Sequence, residues 1–437
     1  MQLRWHFQII NGHVRIVVTT RKEDVGFGSS GIRSHILHIR PLENSEAWSL
    51  FCMKAFSGYP DRTCPSELKA LAKELVKKCD CLPLAVAALG GQMSSKKSMI
   101  EWSVCDNLNW QLYNNQKLEV VKNILLRSFD ELPYPLKPCF LYCCLFPEDH
   151  IIRRKRLIRL WIAEGFIPQV SRITSKELAE SYLMELACWS MLQVIERNQS
   201  GRPKACKMHD LLCELLSVSE REEFCTIYDG RGDIELYNAH RLSTQTTNED
   251  LESYSGMPQL RSFLVFAAHS MYVLYTLLSK LKNLRVLDLE NSTIEKLPDS
   301  LGILFNLRCL NLKRTQVAEL PKSIGGLINL ETLNIRDTPI KKLPIGVARL
   351  KNLRNLIMYR YNHGHVCLFQ YVSGTRALFK IYRLKKLRVT SFVEAEGDTI
   401  RQLGKMTQLN RMGISNMREM DEMDFCSSIL NFKRLRY

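Results

Sequence analysis

No segment of the form G-x-x-x-x-G-K-[ST] occurs anywhere in the 437 residues. The backbone cradle, the phosphate-binding lysine and the Mg²⁺-binding hydroxyl of a P-loop nucleoside triphosphatase are therefore missing, and ATP hydrolysis is not expected. Long apolar runs are missing as well. The longest, Cys81 to Leu89, is far short of the ~20 residues that a membrane-spanning helix needs. The first residues, Met1 to Gln8, lack the apolar core and small-residue cleavage site of a secretory signal, so a cytoplasmic address is expected. Fifteen cysteines are scattered without the tight spacing of a secreted scaffold, as befits free thiols in a reducing compartment. No Ser/His/Asp or Cys/His set can be assembled, so no catalytic residue is assigned. His363-Gly-His365 near Cys367 is too compact and too isolated to read as a metal site.

What is present divides the chain electrostatically. Residues 1–255 carry 32 basic and 31 acidic side chains, whereas 256–437 carry 29 and 14, so the C-terminal part holds +15 of the net +16. A chain of this length has room for two to four domains at ~100–200 residues each. The C-terminal part is repetitive. Leu284-Arg-Val-Leu-Asp-Leu289, Leu307-Arg-Cys-Leu-Asn-Leu312, Leu330-Glu-Thr-Leu-Asn-Ile335 and Leu353-Arg-Asn-Leu-Ile-Met358 start 23 residues apart, and the first three are each followed by an Ile/Val-x-x-Leu-Pro turn. This is the LxxLxL pattern of leucine-rich repeats, in which each unit forms a short strand and stacks on its neighbours to bury its leucines. Weaker units begin at Leu260, Leu387 and Leu409, and 359–380 breaks the period as an irregular loop. The chain ends inside what reads as a further unit, which suggests truncation.

The first 255 residues read differently. Val14 to Thr20 is a β-branched run of the kind found in fully buried parallel strands. Residues 66–79 and 82–93 have helical spacing, the second opening at Pro83. Between 133 and 210 the spacing predicts three helices, built on Leu136 and Phe140, Leu157 and Trp161, and Leu178 and Tyr182, then a strand over Lys204 to Met208 and a helix capped by Asp210. That order suggests a winged helix. The run Arg153-Arg-Lys-Arg156 beside it offers DNA phosphate contacts, but it reads better as a solvated basic helix start.

These segments carry a recognisable order of motifs: Arg15-Ile-Val-Val-Thr-Thr-Arg21; Leu42 to Phe56; Cys81-Leu-Pro-Leu-Ala85; Cys139 to Asp149; Leu157 to Phe166; and Met208-His-Asp210, all ahead of the repeats. The chain resembles the NB-ARC leucine-rich-repeat proteins, the intracellular plant immune receptors, most closely their coiled-coil class. The resemblance implies a multidomain α/β chain acting in defence as an ADP/ATP switch. Its expected parts are a C-terminal remnant of a P-loop-type nucleotide-binding domain (1–60), a small helical domain (61–130), a winged-helix domain (131–218), a linker (219–255) and the leucine-rich repeats (256–437).

By the same resemblance Arg21 is a phosphate-sensing arginine, Pro83 packs on the nucleotide base and His209 meets the ADP β-phosphate. Cys81 stands where the family has glycine. Without the P-loop, nucleotide binding is expected to be weak or absent. The expected partners are a pathogen effector or host guard protein, and the chain's own switch domains, all met through the repeats. In LxxLxL the residue after the first leucine projects toward solvent. That column reads Arg285, Arg308, Glu331, Arg354 and Arg388, a positive strip suited to an acidic surface. A nucleotide-incompetent interaction scaffold and a winged-helix DNA binder stand as alternatives.

Overall fold

The computed structural model describes residues 4–10, 13–19, 37, 39–96, 98, 100–102, 117–209, 212, 226–228, 240–245, 259–266, 278–361, 372–377, 381–395, 398–432 and 434–435. The chain opens with β1 (Arg4–Ile10) and β2 (His13–Thr19), paired antiparallel from Arg4 against Thr19 to Ile10 against His13. This corrects the expectation of a buried parallel strand over Val14 to Thr20. A β-branched run marks extended backbone but not its partner, and the nearest complementary segment lies two residues upstream.

Helices α1 (Asn44–Ala55), α2 (Lys69–Lys77), α3 (Pro83–Met93) and α4 (Lys117–Asp130) follow. Pro83 occupies the first turn of α3, where its missing N–H costs nothing. The turn ahead of it is strained. Asp80 and Cys81 both take left-handed backbone, with φ of 47° and 56°, and the Cys81 carbonyl accepts a 3.0 Å bond from the Leu42 N–H. Inside α3, Gly90 and Gly91 let other elements approach closely: a Cβ on Gly91 would lie 2.5 Å from the Trp189 carbonyl carbon, and one on Gly90 2.7 Å from Lys54 Cβ. In the core of this bundle Trp102 stacks on Phe56 and meets Phe51 edge-on.

Next comes a winged helix: α5 (Leu136–Cys143), β3 (Ile152–Arg153), α6 (Arg154–Glu164), α7 (Ser175–Cys188), β4 (Gln193–Arg197) and β5 (Pro203–Lys207), with β5 central in an antiparallel three-stranded sheet. Thr174 caps α7 through a reciprocal box with Glu177, and Gly165 at φ 91° closes α6. Asp210 and most of the helix expected after it lie outside the described residues.

The remainder is a solenoid. Strands β6 (Thr226–Tyr228), β7 (Arg241–Thr244), β8 (Ser262–Val265), β9 (Val286–Asp288), β10 (Cys309–Asn311) and β11 (Thr332–Asn334) form one parallel sheet; past the short β12 (Lys342–Leu343) it continues through β13 (Asn355–Ile357) and on to Val389–Ser391. Leu287, Leu310, Leu333 and Leu356 stand in register and are fully buried. On the flank, the amides of Asn306, Asn329 and Asn352 donate to carbonyls one unit back at 3.0–3.1 Å.

Two expectations change here. The stretch 219–255 is not simply a linker, because β6 and β7 fall within it and extend the sheet ahead of residue 256. Neither strand carries the leucine spacing that marks the later units. Within 359–380, the period breaks around a small antiparallel pair, β14 (Arg360–Tyr361) with β15 (Val372–Ser373), and β16 (Arg376–Ala377) returns to pair with β12.

The strain at Cys81 has a measurable consequence. Left-handed backbone costs a chiral residue roughly 1–2 kcal/mol, and glycine returns about 0.5–1 kcal/mol of this as unfolded-state entropy. Cys81→Gly is expected to raise the stability of the helical region by about 0.5–1 kcal/mol in urea unfolding. A loss of stability would show that the thiol bond to Asn44 Oδ1, 3.2 Å long, outweighs the strain.

Candidate functional site at the winged helix and repeat interface

Helix α6 packs across β9 and β10 of the solenoid's sheet. Arg156 leaves it at a position shared with Leu160 and Ala163 on one buried face. The first apolar column of the repeats, Val286 and Cys309, belongs to the same core cluster as the winged helix.

At the centre, Arg156 Nε donates to Asp288 Oδ2 at 2.8 Å and lies 3.2 Å from Glu290 Oε2. Asp288 is completely buried and Arg156 and Glu290 nearly so. Asn311 Nδ2 donates to both carboxylates, at 2.8 and 3.0 Å, and Lys313 Nζ reaches Glu290 Oε1 at 2.5 Å. The Arg156 guanidinium also stacks on Phe146 of the winged helix and Phe266 of the repeats. Burial drives the Asp288 carboxyl upward while Arg156 pulls against it. For Glu290 burial is outweighed by Arg156 and Lys313, which hold it at about 2. His150 lies against Phe146 and Phe266, 3.4 Å from Arg156 Nη1, and burial followed by the Arg156 charge lowers it to about 4.

A second cluster sits at the other end of α6. Arg241 Nη2 pairs with Glu164 Oε2 at 3.2 Å, Ser262 Oγ donates to Glu164 Oε1, and the Tyr142 hydroxyl bonds Ser262 at 2.9 Å. Arg285 Nη1 donates to the Glu164 carbonyl at 2.8 Å. A Cβ on Gly165 would lie 3.7 Å from Nη1 of both Arg285 and Arg308. Two arginines of the strip thus meet the C-terminus of α6, where the helix dipole is negative.

The structure separates the remaining sequence expectations. Arg354 turns to Glu331 within the strip at 3.5 Å, and Arg388 is half-buried beside Arg354. Pro83 opens α3, and His209 follows β5, its carbonyl accepting the Leu212 N–H at 3.0 Å. Arg21, His363, His365 and Cys367 lie outside the described residues, among which no group of His, Cys, Asp or Glu is arranged to hold a metal. The glycines of α3 serve close packing and are not free to cradle a phosphate.

The basic run 153–156 is the solvated helix start expected only in part: Arg153 and Lys155 are exposed, with Arg153 bonded to Glu196 at 2.5 Å, whereas Arg154 pairs with Glu180 at 3.1 Å and Arg156 is buried. Sequence reasoning also passed over Asp288 and Glu290. Their signal was available, since each is the acidic member of an outward column, Asp288-Asn311-Asn334 and Glu290-Lys313-Arg336.

A winged helix fastened by buried charge to leucine-rich repeats defines a class of winged-helix repeat proteins, and sequence comparison narrows it. Residues 145–216 match the disease resistance protein winged helix domain, and 259–437 match a leucine-rich repeat region. Over 434 residues the chain is 49% identical to disease resistance protein RPM1 of Arabidopsis thaliana, covering 97% of this chain and 46% of that protein. It is 33% identical over 309 residues to the putative disease resistance RPP13-like protein 3 of the same plant, covering 66% of this chain and 35% of that one. Among solved structures, the LRR protein LIC12759 of Leptospira interrogans aligns at 15% identity and a TM-score of 0.26 over 44% of this chain and 65% of its own, a loose likeness. The chain belongs to the plant NB-ARC leucine-rich-repeat disease resistance proteins. It spans less than half the length of these two relatives.

Arg156→Ala leaves Asp288 buried without its counter-charge, and about 3–5 kcal/mol of stability should be lost. In a double-mutant cycle with Asp288→Asn, the combined loss should be well below the sum.

Acid should loosen the interface in two stages. His150 is held below its unfolded value of about 6.5, so its neutral form is favoured in the folded chain. That contribution is present above pH 6.5 and is lost as pH falls toward 4, on the order of 3 kcal/mol. Glu290 is likewise held low, so its contribution is present above pH 4.5 and disappears toward pH 2. Urea midpoints measured across this range should fall between pH 6.5 and 4, and His150→Phe should flatten that part of the profile.

Proposed function

We propose that this chain is the switch and sensor portion of a cytoplasmic plant immune receptor, in which the repeats hold the winged helix closed until a protein partner competes for their concave face. The supporting observation is the buried Arg156–Asp288–Glu290 network, which joins residues 132 positions apart in sequence. Removing a buried pair's partner is costly, so the closed state resists small perturbations. The partner would be an effector or a guarded host protein. Among the described residues no helix is long and apolar enough to cross a membrane.

Nucleotide would touch this chain only through Arg21, Pro83 and His209, a set that includes no phosphate cradle. We expect ADP and ATP to bind in the high micromolar range or worse, without hydrolysis. Nanomolar binding of ADP in calorimetry would overturn this. The scaffold reading, in which the repeats bind a partner and the rest is passive, is favoured by the same missing cradle. DNA binding is disfavoured because three of the four cations in 153–156 are engaged within the protein.

The clamp is tested by reversing its rim. Arg285→Glu with Arg308→Glu places two carboxylates at the negative end of α6. Hydrogen exchange over 154–164 in the full chain should rise at least tenfold, and expression in leaf tissue should provoke a defence response without a pathogen. Unchanged exchange at low salt would reduce the two arginines to a solvated face.

A further inference from the structure

The winged helix has a second feature, on the side of α6 away from the repeats. Arg154 and Arg156 are two residues apart on the helix, roughly 200° around its axis, so Arg154 points away from the buried network. It forms one wall of a cleft of about 390 Å³ between α7 and the hairpin of β4 and β5. The other walls are mostly apolar: Leu183 and Met184 of α7, and Pro203 at the start of β5. Cavities that take small molecules run to about 300–1,000 Å³, with apolar walls and a few converging polar groups. This one falls at the small end of that range.

The charges at its rim do not balance. Glu180, whose side chain is 18% exposed, faces three cations: Arg154 Nη1 at 3.1 Å, Arg202 Nη1 at 3.7 Å and Lys176 Nζ at 3.9 Å. One carboxylate cannot answer three positive groups. Glu177, the other acid in the walls, is committed elsewhere, because its Oε2 accepts the Thr174 N–H and hydroxyl at 3.1 and 2.8 Å. Arg154 holds Glu180 closely and is itself mostly covered. Arg202 differs. Its distance to Glu180 is too long for a hydrogen bond, its side chain is 65% exposed, and among the described residues its guanidinium has no other partner. Its backbone is fixed, since the Arg202 N–H donates to Asn198 Oδ1 at 2.8 Å and the Arg202 carbonyl accepts the Asn198 N–H at 2.9 Å. A guanidinium with free donors is thus carried on a tied turn at the mouth of an apolar cleft.

We propose that the cleft binds a small apolar carboxylate, its carboxylate paired with Arg202 and its carbon body laid against Leu183, Met184 and Pro203. A guanidinium meets a carboxylate with two parallel hydrogen bonds, and the flexible thioether of Met184 adapts to a ring or a branched chain. The walls also limit the charge. A polyphosphate or a nucleotide would meet the carboxylates of Glu177 and Glu180, whereas a single negative charge is drawn by the surplus cation. A bound ligand would tie α7 to the β4–β5 hairpin and to the first residue of α6, and so stiffen the winged helix from the side opposite the clamp. The proposal rests on the winged helix alone, and not on the clamp, the immune role or ADP.

The test is ligand-observed NMR and thermal unfolding of the full chain with sodium 3-phenylpropanoate at low ionic strength. Saturable binding is expected, with a dissociation constant of about 1 mM or tighter, together with a rise in the thermal midpoint. The neutral 3-phenylpropanamide keeps the shape and loses the charge, and inorganic phosphate keeps the charge and loses the apolar body; each should bind about tenfold more weakly or worse. Arg202→Gln removes the paired cation, and Met184→Glu sets a carboxylate in the apolar wall. Each variant should weaken binding about tenfold or more. Both side chains are exposed, so both variants retain the fold. Lys341→Gln, on the repeats, should bind as the parent chain does. Absent or unsaturable binding overturns the site, as does equal affinity for the amide or undiminished binding by Arg202→Gln.

Discussion

The arrangement of the whole chain depends on one guanidinium removed from water. Arg156 is set on α6 by the winged helix, and both carboxylates that answer it belong to a single repeat strand and the residues just after it. A buried ion pair is weak as a source of net stability, since desolvation consumes most of what attraction returns. Its effect is on uniqueness. Sliding the solenoid by one unit would bring Asn311 and Lys313 to the places of Asp288 and Glu290, leaving Arg156 beside an amide and an ammonium. The pair therefore selects one docking out of several that the regular sheet would otherwise permit.

The regularity comes from the 23-residue period. Every unit buries the same leucine positions, so the inner face of the solenoid is uniform and carries no positional information. Information resides in the outward columns, where residues differ from unit to unit. Arg285 and Arg308 lie at the end of α6, Glu331 and Arg354 satisfy one another, and Arg388 stands with Arg411 farther along. One column read from the sequence thus divides into three neighbourhoods once a helix is laid across it.

That division shows where legibility ended. The LxxLxL strands, the three helices of the winged helix and the start of α3 at Pro83 follow from local periodicity and turn chemistry, and the structure has them. The pairing of β2 with β1, the entry of β6 and β7 into the sheet, and the meeting of Arg156 with Asp288 depend on contacts between segments whose local pattern is silent about partners. Arg156 in particular was read with its charged neighbours and not with Leu160 and Ala163, whose buried face it shares. Arg285 and Arg308 were found because a column of like residues at fixed spacing is visible without knowing what faces it. For Arg21, the described residues offer no placement.

The apolar cluster of the helical and winged-helix regions includes Leu264, Val286 and Cys309 of the repeats, whereas the leucines facing the solenoid interior form a separate cluster. The strands β8 to β10 are therefore shared property. Mechanically, a pull applied to the distal repeats would peel those units one after another until it reached β10, where the load would pass to the winged helix as a whole. The seam at which the protein changes from an elastic array into a rigid block lies inside the repeats, not at their boundary.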